Sequence, residues 1–327
     1  MTRVSRSSTT PGENSVEKLL LAAPRGYCAG VDRAVQTVER ALAIHGAPVY
    51  VRKEIVHNKH VVAQLRKRGA IFVDEHTEVP EGAVCVFSAH GIAPSVRAGA
   101  EERGLRTIDA TCPLVTKVHR EAVRFARDGY TIVLVGHDGH EEVEGTMGEA
   151  PDQIVLVENE DDVDTLQVED HERIAYVTQT TLAVGETSAI VARLRERFPS
   201  IVGPRTDDIC YATTNRQAAV RQMAGRCDLM LVIGSRNSSN SVRLVEVARD
   251  CGTPAHLIDS ASEIREEWLA GARVVGISSG ASAPEELVTE LVDFFRTRGV
   301  RDISEFDVIR EDVRFMLPKP IRQACAL

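Results

Sequence analysis

A chain of 327 residues, 43% hydrophobic and 27% charged, carries enough apolar material for two or three soluble domains. Its formal net charge of −9 argues against a nucleic-acid surface, and no apolar run approaches the ~20 residues needed to cross a bilayer. The opening MTRVSRSSTTPGENS lacks the apolar core of a signal peptide and reads as a disordered arm over 1–17, so the protein is expected in the cytoplasm with its seven cysteines unpaired.

In chain order, the clearest predicted strands are KLLLAAP (18–24), AVCVFSA (83–89), TIVLVG (131–136), RIAYVTQ (173–179), LMLVIGS (229–235) and RVVGISS (273–279). Amphipathic stretches such as DRAVQTVERALAIHG and TSAIVARLRERF lie between them. Continuous apolar strands alternating with helices predict an α/β fold with mainly parallel sheets covered on both faces. The unit of strand, polar loop and helix recurs with one loop cysteine in each third. We therefore expect three similar small domains over 18–112, 113–209 and 210–300, followed by a less regular tail over 301–327. Whether the first strand packs with its own unit or with the third stays open.

Three cysteines are placed alike. Cys28 in PRGYCAGVDRAV, Cys112 in DATCPLVTKVH and Cys210 in DDICYATTNRQAAV each follow a loop and precede a helix-like stretch. Pro113 suits a first helical turn, and Thr213, Thr214 and Asn215 offer capping groups. A thiol at a helix start faces free N–H groups and the positive end of the dipole, which favour the thiolate. Brought together, the three would make a metal site with one open position. The absence of a CxxC pair argues against a closed structural zinc site, and soft thiolates suit an iron–sulfur cluster. Cys85, Cys227, Cys251 and Cys325 read as bystanders, the first as a buried strand residue.

Ligands of parallel α/β sheets bind beyond the carboxyl ends of the strands, and here those ends are rich in polar groups. His57 and Asn58 follow EIV, His90 lies in FSAHG, and LVGHDGHEEVEG carries His137, His140, Glu141, Glu142 and Glu144. Thr180 and Thr181, then Ser238, Ser239, Asn240 and Ser241, and finally Ser282 follow later strands. Hydroxyls, an amide, imidazoles and helix-start N–H groups are donors to an anion, and a small phosphate or diphosphate fits them. No Walker pattern or GxGxxG supports a nucleotide. HEEVE lacks the second histidine of a zinc-protease motif, but an acid beside an imidazole near a metal can deliver protons. These residues alone leave three readings: a reductive iron–sulfur enzyme, a non-redox hydro-lyase with one open iron, and a zinc or iron–sulfur sensor without turnover.

Taken together, GYCAGVDRAV, VHNKHVV, FSAHG, DATCPLVTKVH, GHEEVEGTMGE, VTQTTL, DDICYATTNRQ, GSRNSSNS and GASAPEELV closely resemble the 4-hydroxy-3-methylbut-2-enyl diphosphate reductase (LytB/IspH) family over about residues 19–290. The resemblance implies three α/β domains around a central 4Fe-4S cluster, and reductive loss of a hydroxyl that yields isopentenyl and dimethylallyl diphosphate. This is the last step of the methylerythritol phosphate route to isoprenoids. It further implies Cys28, Cys112 and Cys210 as cluster ligands, leaving one iron open. His57, His90, His140, Thr180, Ser238, Ser239, Asn240 and Ser282 would bind the allylic diphosphate, with Glu142 handling protons and the Thr180 hydroxyl beside it helping to relay them. A ferredoxin or flavodoxin would bring the electrons. Glu141 is an extra carboxylate, expected to point outward.

Overall fold

The computed structural model describes residues 16–324. Its strands in chain order are β1 (Lys18–Ala23), β2 (Val49–Arg52), β3 (Ala70–Val73), β4 (Val84–Phe87), β5 (Arg106–Asp109), β6 (Thr131–Val135), β7 (Ile154–Val157), β8 (Ile174–Thr178), β9 (Leu229–Ile233), β10 (Ala255–Ile258), β11 (Val274–Ser279) and β12 (Asp302–Asp307). They form three sheets, ordered β10-β9-β11-β1-β12, β3-β2-β4-β5 and β7-β6-β8. Every strand pairing is parallel. Helices cross between the strands and cover both faces, which is why Val84–Phe87 and Leu229–Ile233 are buried along their whole length. Cys85 is one of those buried strand residues.

The first strand joins the sheet of the last third. β1 runs between β11 and β12, with Leu19 in register with Val275 and Ile303. Two expectations need correction here. The segment after 300 is not simply irregular, because residues 302–307 form a sheet strand and Ile321 is buried against Ala34–Val38 and their neighbours. At the other end, Val16 is buried in the core and Glu17 pairs with Arg273, so the arm is shorter than 1–17; residues 1–15 and Cys325 lie outside the described residues.

Leu19 is fully buried on β1, between β11 and β12. Leu19→Ala should therefore cost about 2–5 kcal/mol, the range for large-to-small core changes. An equilibrium urea melt should show it as a lower midpoint with an unchanged slope.

Candidate active site and metal centre

Cys28, Cys112 and Cys210 are the N-caps of the helices Ala29–His45, Pro113–Arg127 and Tyr211–Ala224. The Cys28 sulfur accepts from Val31 N at 3.5 Å, and the Cys210 sulfur from Thr213 N at 3.4 Å. Two arginines stitch the three loops together. Arg33, one turn into the first of these helices, donates to the carbonyls of Ala110 and Thr111 beside Cys112. Arg216, in the third, is buried and donates to Gly26 O and Ala212 O, on either side of the Cys28–Cys210 junction. The Tyr211 hydroxyl accepts from Ala29 N at 3.2 Å, a further tie between the same two loops.

The three sulfurs feel one another. Burial pushes the Cys112 thiol up to about 12, with Cys28 and then Cys210 adding to the rise, despite the N–H groups of Leu114 and Val115. Burial and the Cys28 thiol push Cys210 up to about 11. At Cys112 and Cys210, helix-start stabilisation of the thiolate, the expectation from sequence, is thus outweighed by desolvation and repulsion from neighbouring sulfurs. A polynuclear cation at the centre would reverse both effects, so this donor set suits a metal centre. Gly30 supports the same fit. A Cβ there would lie 2.6 Å from the Cys112 sulfur and 3.8 Å from that of Cys28, so the backbone forms a cradle only glycine leaves open.

All twelve residues that the family resemblance assigns to the site line one cavity, with Cys28, Cys112 and Cys210 joined by His57, His90, His140, Glu142, Thr180, Ser238, Ser239, Asn240 and Ser282. The helix Ser239–Asp250 points its N-terminus into this space, capped by the Ser238 hydroxyl, which accepts from Ser241 N at 3.3 Å. Ser282 donates to His57 O at 2.9 Å, and Asn240 Oδ1 accepts from Ala281 N at 2.8 Å. These bonds fix the serine–asparagine loop against the loops bearing Ser282 and His57. The His57 and His90 rings stack at 3.9 Å, and His140 meets both edge-on at 5.4 and 6.0 Å. His140 Nδ1 accepts from Glu142 N at 3.1 Å, so in the neutral ring Nε2 carries the proton. Burial and the neighbouring imidazoles hold His140 down to about 3, and burial with His90 lowers His57 as well.

Glu141 does not point outward. Its Oε2 lies 2.9 Å from His90 Nδ1 and 3.3 Å from the Ser88 hydroxyl, inside the imidazole cluster. Burial alone would raise its pKa, but the His90 hydrogen bond and the adjacent rings carry it down to about 2. A second carboxylate backs His57. Glu54 lies 3.5 Å from His57 Nδ1 and accepts from Asn237 Nδ2 at 2.8 Å. Neither Glu54 nor Asn237 was singled out from the sequence, although each sits three residues or fewer from one that was. Phe315 also lines the cavity, and nothing in its irregular surroundings marked it.

Glu142 is 2% exposed, and burial pushes its carboxyl up to about 7. Thr180 N donates to one oxygen at 2.7 Å and the Thr180 hydroxyl to the other at 3.0 Å, both opposing the rise. A carboxyl half-protonated near neutrality thus stands at a cavity that holds three thiols and a cluster of anion donors.

A family model described as LytB protein matches residues 19–296. The 4-hydroxy-3-methylbut-2-enyl diphosphate reductase of Nocardia farcinica is 58% identical over 319 residues, spanning 97% of this chain and 95% of its own. That of Leifsonia xyli is 60% identical over 311 residues, spanning 95% and 92%. Among solved structures, the E-1-hydroxy-2-methyl-but-2-enyl-4-diphosphate reductase of Plasmodium falciparum superposes with a TM-score of 0.92 at 38% identity, covering 95% of this chain and 98% of that one. With a family match over most of its length and relatives this similar, the chain belongs to the LytB family.

Proposed function

We propose that this protein reduces (E)-4-hydroxy-3-methylbut-2-enyl diphosphate to isopentenyl and dimethylallyl diphosphate in the cytoplasm, as the terminal step of the non-mevalonate pathway. The observation that carries this reading is Glu142, a buried carboxyl poised near pH 7 at a cavity shared by three thiols and an anion pocket. The family assignment and the names of the relatives agree with it. Unpaired thiols at all six described cysteines suit a reducing compartment. Among the described residues, no helix is long and apolar enough to cross a membrane.

The overall change takes up two electrons and two protons, replaces a C–O bond by a C–H bond and releases water. A 4Fe-4S cluster on Cys28, Cys112 and Cys210, with one iron free of protein ligands, would supply the electrons and bind the substrate oxygen. The chain's own residues do the rest. Ser238, Ser239, Asn240, Ser282 and the N-terminus of Ser239–Asp250 donate to the diphosphate, as neutral hydroxyls, an amide and backbone N–H groups do for anions. His57, His90 and His140 complete that pocket, and holding the diphosphate fixes where the hydroxyl end can reach. Glu142 protonates the departing oxygen, because hydroxide is a poor leaving group and water a good one. Thr180 orients the carboxyl through both oxygens and offers a hydroxyl through which the proton can pass.

Anaerobic turnover with dithionite and a viologen mediator, beside a control without reductant, tests the reading. Both isoprenoid diphosphates should form only with reductant. Conversion without it would move the protein to the hydro-lyases, and none at all with an intact cluster would favour a sensor.

Glu141 yields a smaller prediction. Its carboxylate lies 2.9 Å from His90 Nδ1, and hydrogen bonds to a charged group are worth about 1.5–3 kcal/mol. Glu141→Gln keeps the shape and removes the charge, so KM for the diphosphate substrate should rise about 10-fold with kcat little changed. Steady-state kinetics across substrate concentration separates the two; an unchanged KM would show that the pair only shapes the loop.

A further inference from the structure

The segment that follows β12 passes over the three-cysteine centre and is held there at several points. Glu311 pairs with Arg216, the arginine that stitches the Cys28 and Cys210 loops, and also accepts from Asn215. Met316 O accepts from Arg33, the arginine that stitches the Cys112 loop, at 2.8 Å. Between these anchors, Phe315 turns into the cavity that the cysteines line. Beyond them Pro318 and Ile321 are buried, so the strap is fixed at its far end too.

Its outer side differs from the rest of the surface. Ile309, Val313 and Met316 are 43%, 41% and 73% exposed, and they make up half of the six large hydrophobic residues left exposed among those described. Exposed apolar residues gathered on one short segment suit an interaction surface. Within residues 309–322 the cations outnumber the carboxylates. Arg310, Arg314, Lys319 and Arg322 are all exposed, whereas the nearby carboxylates are Asp312 and Glu311, the latter engaged with Arg216. Among the described residues, the side chains of Arg310, Arg314 and Lys319 have no ion-pair partner. A chain of net charge −9 thus presents unpaired cations on a segment that also lines the thiol cavity through Phe315. Unpaired cations around an apolar centre complement an acidic protein, since matched charge steers encounter and apolar contact holds the complex.

We propose that residues 309–322 form the docking surface for a small acidic one-electron carrier protein. This rests on the reductase reading above. Two successive one-electron deliveries from the reduced carrier, with two protons, balance the loss of one hydroxyl as water. The anchored strap supplies a landing site tied through Arg216 and Arg33 to the loops that carry the cysteines.

The test uses the cluster-loaded full chain and an acidic ferredoxin as probe, with the charge reversal Arg310→Glu/Arg314→Glu. Ferredoxin-supported kcat/KM should fall about 10-fold or more at low ionic strength, and the difference should shrink as salt is added. Turnover with dithionite and viologen, which needs no protein docking, should stay at the wild-type level. Met316→Ser should weaken ferredoxin-supported turnover alone, by removing the apolar centre without touching charge. Equal ferredoxin rates for wild type and the double variant overturn the proposal, as does an equal fall in both assays for both variants. If wild type fails with dithionite as well, the reductase reading is what has failed. Docking is then judged by calorimetric ferredoxin binding, which the double variant should weaken about 10-fold.

Discussion

Glu142→Gln should bind the diphosphate substrate with near wild-type affinity and lose turnover by about 10²- to 10⁴-fold, the usual weight of a positioned general acid. Glutamine keeps the size of the side chain and can accept the Thr180 N–H through its carbonyl oxygen. What it lacks is a proton to give. The same residue sets the pH profile. With a carboxyl at about 7, the acid form is full below that pH and is depleted tenfold for each unit above it. The wild-type rate in the viologen-coupled assay should therefore decline on the alkaline side of about pH 7, while the residual rate of the glutamine variant should lack that limb. His140, held down to about 3, is neutral across this range and cannot supply the alkaline limb, and burial with His90 lowers His57 in the same direction. A glutamine variant with a near-normal steady-state rate would remove Glu142 from the chemistry.

The contrast between Glu142 and Glu141 comes from packing that two adjacent letters cannot reveal. Both are carboxylates in the first turn of the helix Glu141–Met147. One is buried against Thr180, whose N–H and hydroxyl both donate to it, and burial pushes it up to about 7. The other meets His90 and is drawn down to about 2. The family motif places Glu142 and leaves Glu141 as an extra carboxylate expected to point outward, although one step along a helix turns a residue by only about 100°. It does not show that β4 ends with Ser88 and His90 on that second side. The strands show a parallel limit. Those found by eye, such as TIVLV and LMLVI, are buried throughout and read as unbroken apolar runs. β3, β5, β10 and β12 are edge strands, short or half-exposed, and RTID or DISEFD carries no apolar period to read. The candidate site was the more legible part, because cysteine, histidine and hydroxyl clusters at strand ends have few other reasons to be there. Its outer wall, with Phe315 on an aperiodic strap, had no such signal.

Gly30→Ala offers a sharp test of the three-cysteine centre, because local and tertiary effects act in opposite directions. Gly30 is the second residue of the helix Ala29–His45, where alanine is the better helix former by up to about 1 kcal/mol. Its backbone is not in the left-handed region, so a side chain meets no conformational penalty there. Judged on the helix alone, the substitution should leave the metal-free chain as stable as before or slightly more so. The added Cβ, however, would stand 2.6 Å from the Cys112 sulfur, closer than real Cβ atoms come to their neighbours. The sulfur must move, and it is one of the three that must converge. We therefore expect the variant to fold, with an unchanged or raised thermal midpoint for the metal-free protein, and to retain much less iron and acid-labile sulfide after anaerobic reconstitution. Iron analysis and the visible absorption of the cluster read this without recourse to activity. A full complement of iron in Gly30→Ala would mean that the Cys112 sulfur has freedom to yield, and that the cradle between Cys28 and Cys112 does not set the geometry of the centre.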